Sequence, residues 1–123
     1  MANRFALIIE DQEDIADIYS NALLLTNFES QIISDGKEAL ELLPNVEPQL
    51  IILDMNLPHV SGHYLFKQIR STSHLADVPV IICTANSVMA NAMKAEISET
   101  DFILVKPVSI HQLNGLIKRI FGE

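Results

Sequence analysis

The chain is poor in several features that define whole classes of protein. It has one cysteine, Cys83, no tryptophan and only four glycines among 123 residues, so no internal disulfide can form. A lone cysteine at the end of the apolar run VPVIIC is typical of a small core residue, and the absence of disulfides fits a reducing compartment. The sequence therefore predicts a fold that is stabilised by one hydrophobic core.

Basic residues are also scarce. The chain has 8 Lys and Arg against 16 Asp and Glu, which gives a net charge of −8 with His neutral. Binding to nucleic acid needs Lys and Arg to neutralise phosphates, so this balance argues against a direct nucleic-acid partner. We ascribe most of the charge to solubility, and a smaller share to carboxylates gathered at a cation site.

Long hydrophobic runs and targeting signals are missing as well. No apolar run approaches the roughly 20 residues that a membrane-spanning helix needs. The N-terminal stretch MANRFALIIEDQED has too short an apolar run for a signal peptide and turns acidic at once. We therefore predict a cytoplasmic protein that does not bind a membrane.

Short apolar runs alternate along the chain with stretches of helical periodicity. Strands are predicted at 5–9, 30–33, 49–54, 78–84 and 101–105, and helices within 13–25, 35–44, 61–70, 88–97 and 109–121. Such apolar strands are typical of a parallel sheet covered on both faces, and right-handed crossovers then give a doubly wound three-layer sandwich. The predicted fold class is α/β and flavodoxin-like, with residues 1–123 as a single domain.

Chemically active side chains follow four of the five predicted strands. The first strand ends in Glu10 and Asp11, the third in Asp54, the fourth in Thr84 and the fifth in Lys106. Ligands of doubly wound sheets bind beyond the carboxyl ends of the strands, where the strand order reverses. Carboxylates gathered there need a cation, and oxygen ligands suit Mg²⁺. The strand ends therefore predict a cation site beside a phosphate-binding site, with one carboxylate as a possible nucleophile.

Four segments carry these residues: IIEDQED, LIILDMNLPHVSG, VIICTAN and ILVKP. In this order, along essentially the whole chain, they resemble the receiver domain of the two-component response regulator family. The resemblance implies a sheet of strand order 2-1-3-4-5 and a role in phosphorelay signal transduction. It implies a module, not a conventional enzyme, that accepts a phosphoryl group from a sensor histidine kinase or phosphotransfer protein and then switches partner binding.

The resemblance also assigns roles to individual residues. Asp54 corresponds to the phosphoacceptor, and Mg²⁺ would be held by Glu10, Asp11, Asp54 and the backbone carbonyl of Asn56. The other assigned residues are the phosphate-binding and switch residues Thr84, Ala85 and Lys106, the cis-proline Pro107, the loop-shaping residues Pro58 and Gly62, and the lifetime-tuning residues Asn56 and Asn86.

The fifth strand departs from the family pattern. The usual switch aromatic lies three positions before the lysine, where this chain has Ile103, and Phe102 is one residue earlier. One step along a strand moves a side chain to the other face. We predict that the aromatic switch is absent, because Ile103 continues the strand without a gap. Met89 and Met93, four residues apart, are expected to pack in the core, with an adaptable partner surface as the alternative.

Two other function classes stay open. A phosphate-independent pseudo-receiver is disfavoured because every assigned acidic, hydroxyl and lysine residue is present. A phosphatase of the haloacid dehalogenase type would need an acid at position 56, where the chain has Asn56, and a substrate cap for which it has no spare length. Because the chain ends after the fifth helix, we expect a single-domain regulator without an output domain, with a fragment of a longer protein as the alternative. By analogy with the family, we expect a downstream protein partner to dock on residues 87–121.

Overall fold

The computed structural model describes residues 4–122. Within them, five strands alternate with five α-helices, as predicted. These are β1 (Arg4–Ile9), α1 (Glu13–Leu24), β2 (Phe28–Ile33), α2 (Gly36–Leu42), β3 (Leu50–Asp54), α3 (Gly62–Ser71), β4 (Val80–Thr84), α4 (Ser87–Met93), β5 (Asp101–Val105) and α5 (Ile110–Ile120). The ends of the predicted domain, residues 1–3 and 123, lie outside the described residues. No helix in the described part of the chain is long and apolar enough to span a membrane.

The strands form one parallel sheet in the order β2-β1-β3-β4-β5, which confirms the predicted topology. The order reverses at β1, so the carboxyl ends of β1 and β3 flank the switch point. Register pairing places Ile9 beside Leu53, and Asp54 beside Cys83. The residues that follow β1 and those that end β3 therefore meet at one edge of the sheet.

The sheet is covered on both faces, which makes the three-layer sandwich. All five residues of β3 are buried, because alternate side chains enter two different cores. Ile52 and Cys83 pack with α1 and α5, and Ile51 and Leu53 pack with α2, α3 and α4. Cys83 is fully buried, as expected of a core residue. This double burial holds the end of β3 rigidly.

Three element boundaries differ from the predicted ones by two residues or more. β2 begins two residues early, at Phe28, because that side chain is buried although three polar residues follow it. β4 begins two residues late, because the amide of Val78 bonds in a turn to the carbonyl of Leu75. α4 ends at Met93, four residues early, because the amide of Glu96 bonds three residues back to the carbonyl of Met93.

Side-chain caps begin four of the helices and fix the loops that lead into them from the strands. Asp35, Ser61, Asn86 and Ser109 each accept a hydrogen bond from a backbone amide in the first turn of the following helix. All four caps lie at the carboxyl edge of the sheet. The loops that surround the strand ends are therefore anchored locally.

Candidate functional site at the carboxyl edge of the sheet

Three strand ends meet at the centre of this edge. Lys106 follows β5, and its long side chain reaches past β4 to β3. Its Nζ donates a hydrogen bond to Asp54 Oδ1 at 3.2 Å and lies 3.1 Å from Glu10 Oε1. The Glu10 and Asp54 side chains are buried, whereas Lys106 remains 14 % exposed. The backbone of Lys106 is tied to the carbonyl of Thr84, and the peptide bond to Pro107 is cis.

The two carboxylate oxygens of Asp54 have different surroundings. Oδ1 accepts hydrogen bonds from Lys106 Nζ at 3.2 Å and from the Asn56 amide at 3.1 Å. Oδ2 accepts none from any residue between 4 and 122. One oxygen is therefore anchored, and the other keeps its lone pairs for a ligand.

Glu10, Asp11 and Asp54 form an acidic cluster. Each can offer a carboxylate oxygen within 4.8 Å of the others, with Asp11 exposed and the other two buried. Glu10 Oε2 accepts a hydrogen bond from the Gln12 amide at 3.2 Å. Oε1 is buried and has no hydrogen-bond partner, although Lys106 Nζ is close enough for an ion pair. The cluster therefore offers oxygen ligands of the kind that a hard divalent cation prefers.

The charges of this cluster are not balanced by the protein. Burial raises the pKa of Glu10 to about 7, and the negative charge of Asp54 contributes in the same direction. Burial opposes the charged form of Lys106, but the charges of Asp54 and Glu10 outweigh it and raise the pKa of Lys106. One ammonium thus faces three carboxyl groups. An added cation would favour the ionised form of Glu10, so the residues fit a metal.

Beside the cluster, the end of β4 carries a buried hydroxyl. Thr84 is fully buried, and its Oγ1 accepts a hydrogen bond from the Asn86 amide at 3.1 Å. The same hydroxyl donates to Met89 Sδ at 3.9 Å. Ala85 is exposed and lines a small apolar groove with Lys106. The Asn86 side chain caps α4, so it is not merely a polar loop residue.

The loop after β3 folds closely against the end of the strand. The amide of Val60 donates to the carbonyl of Pro58 at 2.8 Å. Gly62 lies so near the backbone that an added Cβ would stand 2.5 Å from the carbonyl oxygen of Asp54. Asn56 has an exposed side chain and contacts Asp54 through its amide. The loop therefore needs a residue without a side chain at position 62.

Phe102 and Ile103 are consecutive residues of β5, and their side chains point to opposite faces of the sheet, as the two-residue period of a strand requires. Phe102 packs with the α1 and α5 core, whereas Ile103 packs with the core that includes α4. β5 pairs with β4 without interruption, so no register shift brings Phe102 to the α4 face. The residue of β5 on the α4 face is therefore Ile103, which is aliphatic.

Sequence reasoning did not connect two residues, Tyr19 and Met89, with the site. Tyr19, on α1, is buried among the side chains that include Cys83. Burial raises its pKa well above the usual range, and burial raises the pKa of Cys83 to about 12, so both stay neutral. Met89 contacts the Thr84 hydroxyl instead of only filling the core. The surroundings of both side chains depend on contacts between elements, which helical periodicity does not record.

A doubly wound sheet with an acidic cluster and a lysine at its carboxyl edge defines the class of this protein, and comparison with known proteins agrees. The family model described as the response regulator receiver domain matches residues 6–118. Sensory transduction protein RegX3 of Mycobacterium tuberculosis (strain ATCC 25618 / H37Rv) is 33% identical over 115 residues, which are 93% of this chain and 49% of RegX3. The chain belongs to the response regulator receiver domain family and is a phosphorelay module of two-component systems.

Further similarity is to a longer regulator and to a solved structure. Regulatory protein AtoC of Escherichia coli (strain K12) is 28% identical over 113 residues, which are 92% of this chain and 24% of AtoC. A response regulator structure from Chloroflexus aurantiacus J-10-fl has a TM-score of 0.85 at 25% identity and covers 99% of this chain and 100% of that one. The chain spans between 12% and 49% of the length of the first curated relatives that it matches.

Proposed function

We propose that this receiver accepts a phosphoryl group on Asp54 from the phosphohistidine of a sensor histidine kinase or phosphotransfer protein. The observation that carries the proposal is the asymmetry of the Asp54 carboxylate. Lys106 and the Asn56 amide hold Oδ1, while Oδ2 accepts no hydrogen bond from residues 4–122. The Asp54 carboxylate also belongs to the acidic cluster. A nucleophilic oxygen needs this combination of fixed orientation and free lone pairs.

The metal of the proposed site is Mg²⁺. Glu10, Asp11, Asp54 and the backbone carbonyl of Asn56 would hold it. The assignment is supported by Glu10 Oε1, which is buried and accepts no hydrogen bond although Lys106 Nζ lies 3.1 Å away. When bound, Mg²⁺ supplies positive charge that offsets the negative charge of the phosphoryl oxygens.

Transfer needs positioning and charge neutralisation more than acid–base help. The Asp54 Oδ2 lone pair forms the bond to phosphorus while the phosphorus–nitrogen bond to the donor imidazole breaks. The bonding pair leaves on that nitrogen. Lys106, already within 3.2 Å of Asp54, offsets part of the roughly 1.5 to 2 negative charges that the phosphoryl group adds. We assign the Thr84 hydroxyl at the end of β4 as a donor to a phosphoryl oxygen. Ala85, which follows it and lines a groove with Lys106, is assigned to the same phosphate-binding group.

The signal would pass to a downstream protein that docks on residues 87–121. Val88 and Val105 support this surface, because they are 75% and 43% exposed although both are apolar. The loop positions Asn56 and Asn86 are proposed to set how long the aspartyl phosphate survives. The proposed module needs no direct contact with nucleic acid, in keeping with its net charge of −8.

Intact-mass measurement with acetyl phosphate and Mg²⁺ tests the proposal. We expect an adduct of about 80 Da, one phosphoryl group, that is absent in Asp54→Asn and without Mg²⁺. Asp77→Asn, a matched change at an exposed carboxylate before β4, should keep the adduct.

Three other results would contradict the proposal in different ways. An adduct that persists in Asp54→Asn would place the acceptor elsewhere. Multiple turnover of a phosphate ester would favour a phosphatase of the haloacid dehalogenase type. No adduct together with no Mg²⁺ binding would favour a phosphate-independent interaction domain.

A further inference from the structure

Thr84, Asn86 and Met89 form a closed set of three hydrogen bonds, the β4–α4 triad. The Asn86 amide donates to Thr84 Oγ1 at 3.1 Å, and the Met89 amide donates to Asn86 Oδ1 at 3.1 Å. Thr84 Oγ1 donates to Met89 Sδ at 3.9 Å and completes the set. Each member both donates and accepts, so the triad ties the hydroxyl at the strand end to the first turn of α4.

The thioether is a weak acceptor, yet it matters because the hydroxyl is buried. Thr84 is 0% exposed, and within residues 4–122 Met89 Sδ is the only acceptor of its proton. A buried hydroxyl that lost this acceptor would keep its desolvation cost without compensation. A charged phosphoryl oxygen on Asp54 is a stronger acceptor than sulfur. The single proton of Thr84 thus has two competing acceptors.

We propose that Met89 is a positioning residue that holds the Thr84 hydroxyl toward α4 in the unphosphorylated protein. The sulfur thereby sets how readily the hydroxyl turns to a phosphoryl group on Asp54, and this inference rests on the proposed function of that residue. Rotation of Thr84 opens the triad and removes the acceptor of the Asn86 amide. The first turn of α4 is therefore the element that registers phosphorylation.

Binding of beryllofluoride, a phosphoryl mimic, to the full chain with saturating Mg²⁺ tests the role of Met89. Met89→Leu keeps the side-chain volume but removes the acceptor, so the resting arrangement loses stability. We expect the affinity of Met89→Leu for beryllofluoride to rise about twofold to threefold, which corresponds to the loss of a hydrogen bond with a net contribution of about 0.5 kcal/mol. Met93→Leu is the matched control, because Met93 is buried on the same helix and makes no hydrogen bond to Thr84. The affinity of Met93→Leu for beryllofluoride should equal that of the unmodified chain.

A double-mutant cycle separates the hydrogen bond from general packing. Thr84→Val removes the hydroxyl with little change of shape. In that background, Met89→Leu should leave beryllofluoride affinity unchanged. The inference is overturned by an equal gain in both backgrounds, by the same gain in Met93→Leu, or by no gain in Met89→Leu.

A measurement without phosphoryl mimic keeps this inference distinct from the proposed function. Scalar couplings in NMR should give a single χ1 rotamer for Thr84 in the unmodified chain and in Met93→Leu, and averaging in Met89→Leu. Averaging in the unmodified chain would overturn the positioning role. Failure of the unmodified chain to bind beryllofluoride contradicts the proposed function, while the rotamer result still decides whether Met89 holds the hydroxyl.

Discussion

Three acidic residues of the site differ in environment at the scale of single residues. Glu10 and Asp54 are buried behind strand ends, whereas Asp11, next in the chain to Glu10, is exposed. The raised pKa of Glu10, about 7, follows from burial and from the charge of Asp54. The residue types were predictable from the strand pattern. The differences in burial and in neighbouring charge among these residues were not predictable, because burial and the approach of Lys106 depend on how the elements pack.

Gly62 is the residue whose replacement should most directly disturb the acceptor. An added Cβ would stand 2.5 Å from the carbonyl oxygen of Asp54 and 2.5 Å from the Cα of Met55, which is backbone that cannot step aside. We expect Gly62→Ala to lower the free energy of unfolding by about 1–3 kcal/mol, the usual cost of overpacking, and to reduce phosphorylation of Asp54. Urea unfolding and the mass measurement check the two effects.

Gly115→Ala is the matched control, since an added Cβ in this helical position of α5 meets nothing within 4 Å. It should raise the free energy of unfolding by about 0.5–1 kcal/mol, because alanine loses less conformational entropy than glycine in a helix. Equal losses in the two variants would contradict a steric role for Gly62.

At the scale of elements, Arg70 joins α3 to the start of β5. Its Nε donates to Asp101 Oδ1 at 3.0 Å, and Nη1 donates to the carbonyls of Leu75 and Ala76, each at 3.0 Å. A second nitrogen, Nη2, also contacts Asp101. Asp101 is buried, and its other oxygen accepts from the Ser98 amide at 2.9 Å. This network anchors the start of β5 against the end of α3.

Arg70→Met should therefore be strongly destabilising. It leaves the buried Asp101 carboxylate without its cation, a change that costs about 3–5 kcal/mol in comparable buried pairs. Lys67→Met, one turn earlier on α3, removes an exposed cation 3.8 Å from Glu96 and should change the free energy of unfolding by less than about 1 kcal/mol. Chemical denaturation of both variants checks the difference. A small loss in Arg70→Met would show that Ser98 alone satisfies Asp101.

The same scale explains which boundaries could be predicted. Long apolar strands such as β3 were located closely, because their hydrophobic pattern is continuous. The end of α4 was predicted four residues late, because the apolar pattern runs on past the turn in which the Glu96 amide bonds to the carbonyl of Met93. Periodicity records which side chains face inward and does not record such contacts.

The whole molecule carries a net charge of −8, and part of that charge is concentrated at one edge of the sheet. A cation bound only by the folded state stabilises it by about 2.7 kcal/mol at a concentration 100-fold above the dissociation constant. We expect MgCl₂ to raise Tm more than NaCl does at equal ionic strength, because NaCl acts only by screening the charges of the protein.

Asp11→Asn provides the control for this Mg²⁺ effect. Asp11 is exposed, so the substitution should leave the fold intact while it removes one ligand. The difference between the two salts should shrink in this variant. An unchanged difference would mean that Mg²⁺ stabilises the protein through another group of charges.

The sequence alone determined the alternation of strands and helices, the residues that follow each strand and the family, because these depend on local periodicity and on the order of short segments. Only the tertiary structure decided that Lys106 reaches Asp54 past β4, that one oxygen of Asp54 is left without a hydrogen bond, and that the Thr84 hydroxyl rests on Met89. These features depend on distances between side chains of different elements. Such distances are set by the packing of helices on a twisted sheet, and no single segment of the sequence determines that packing.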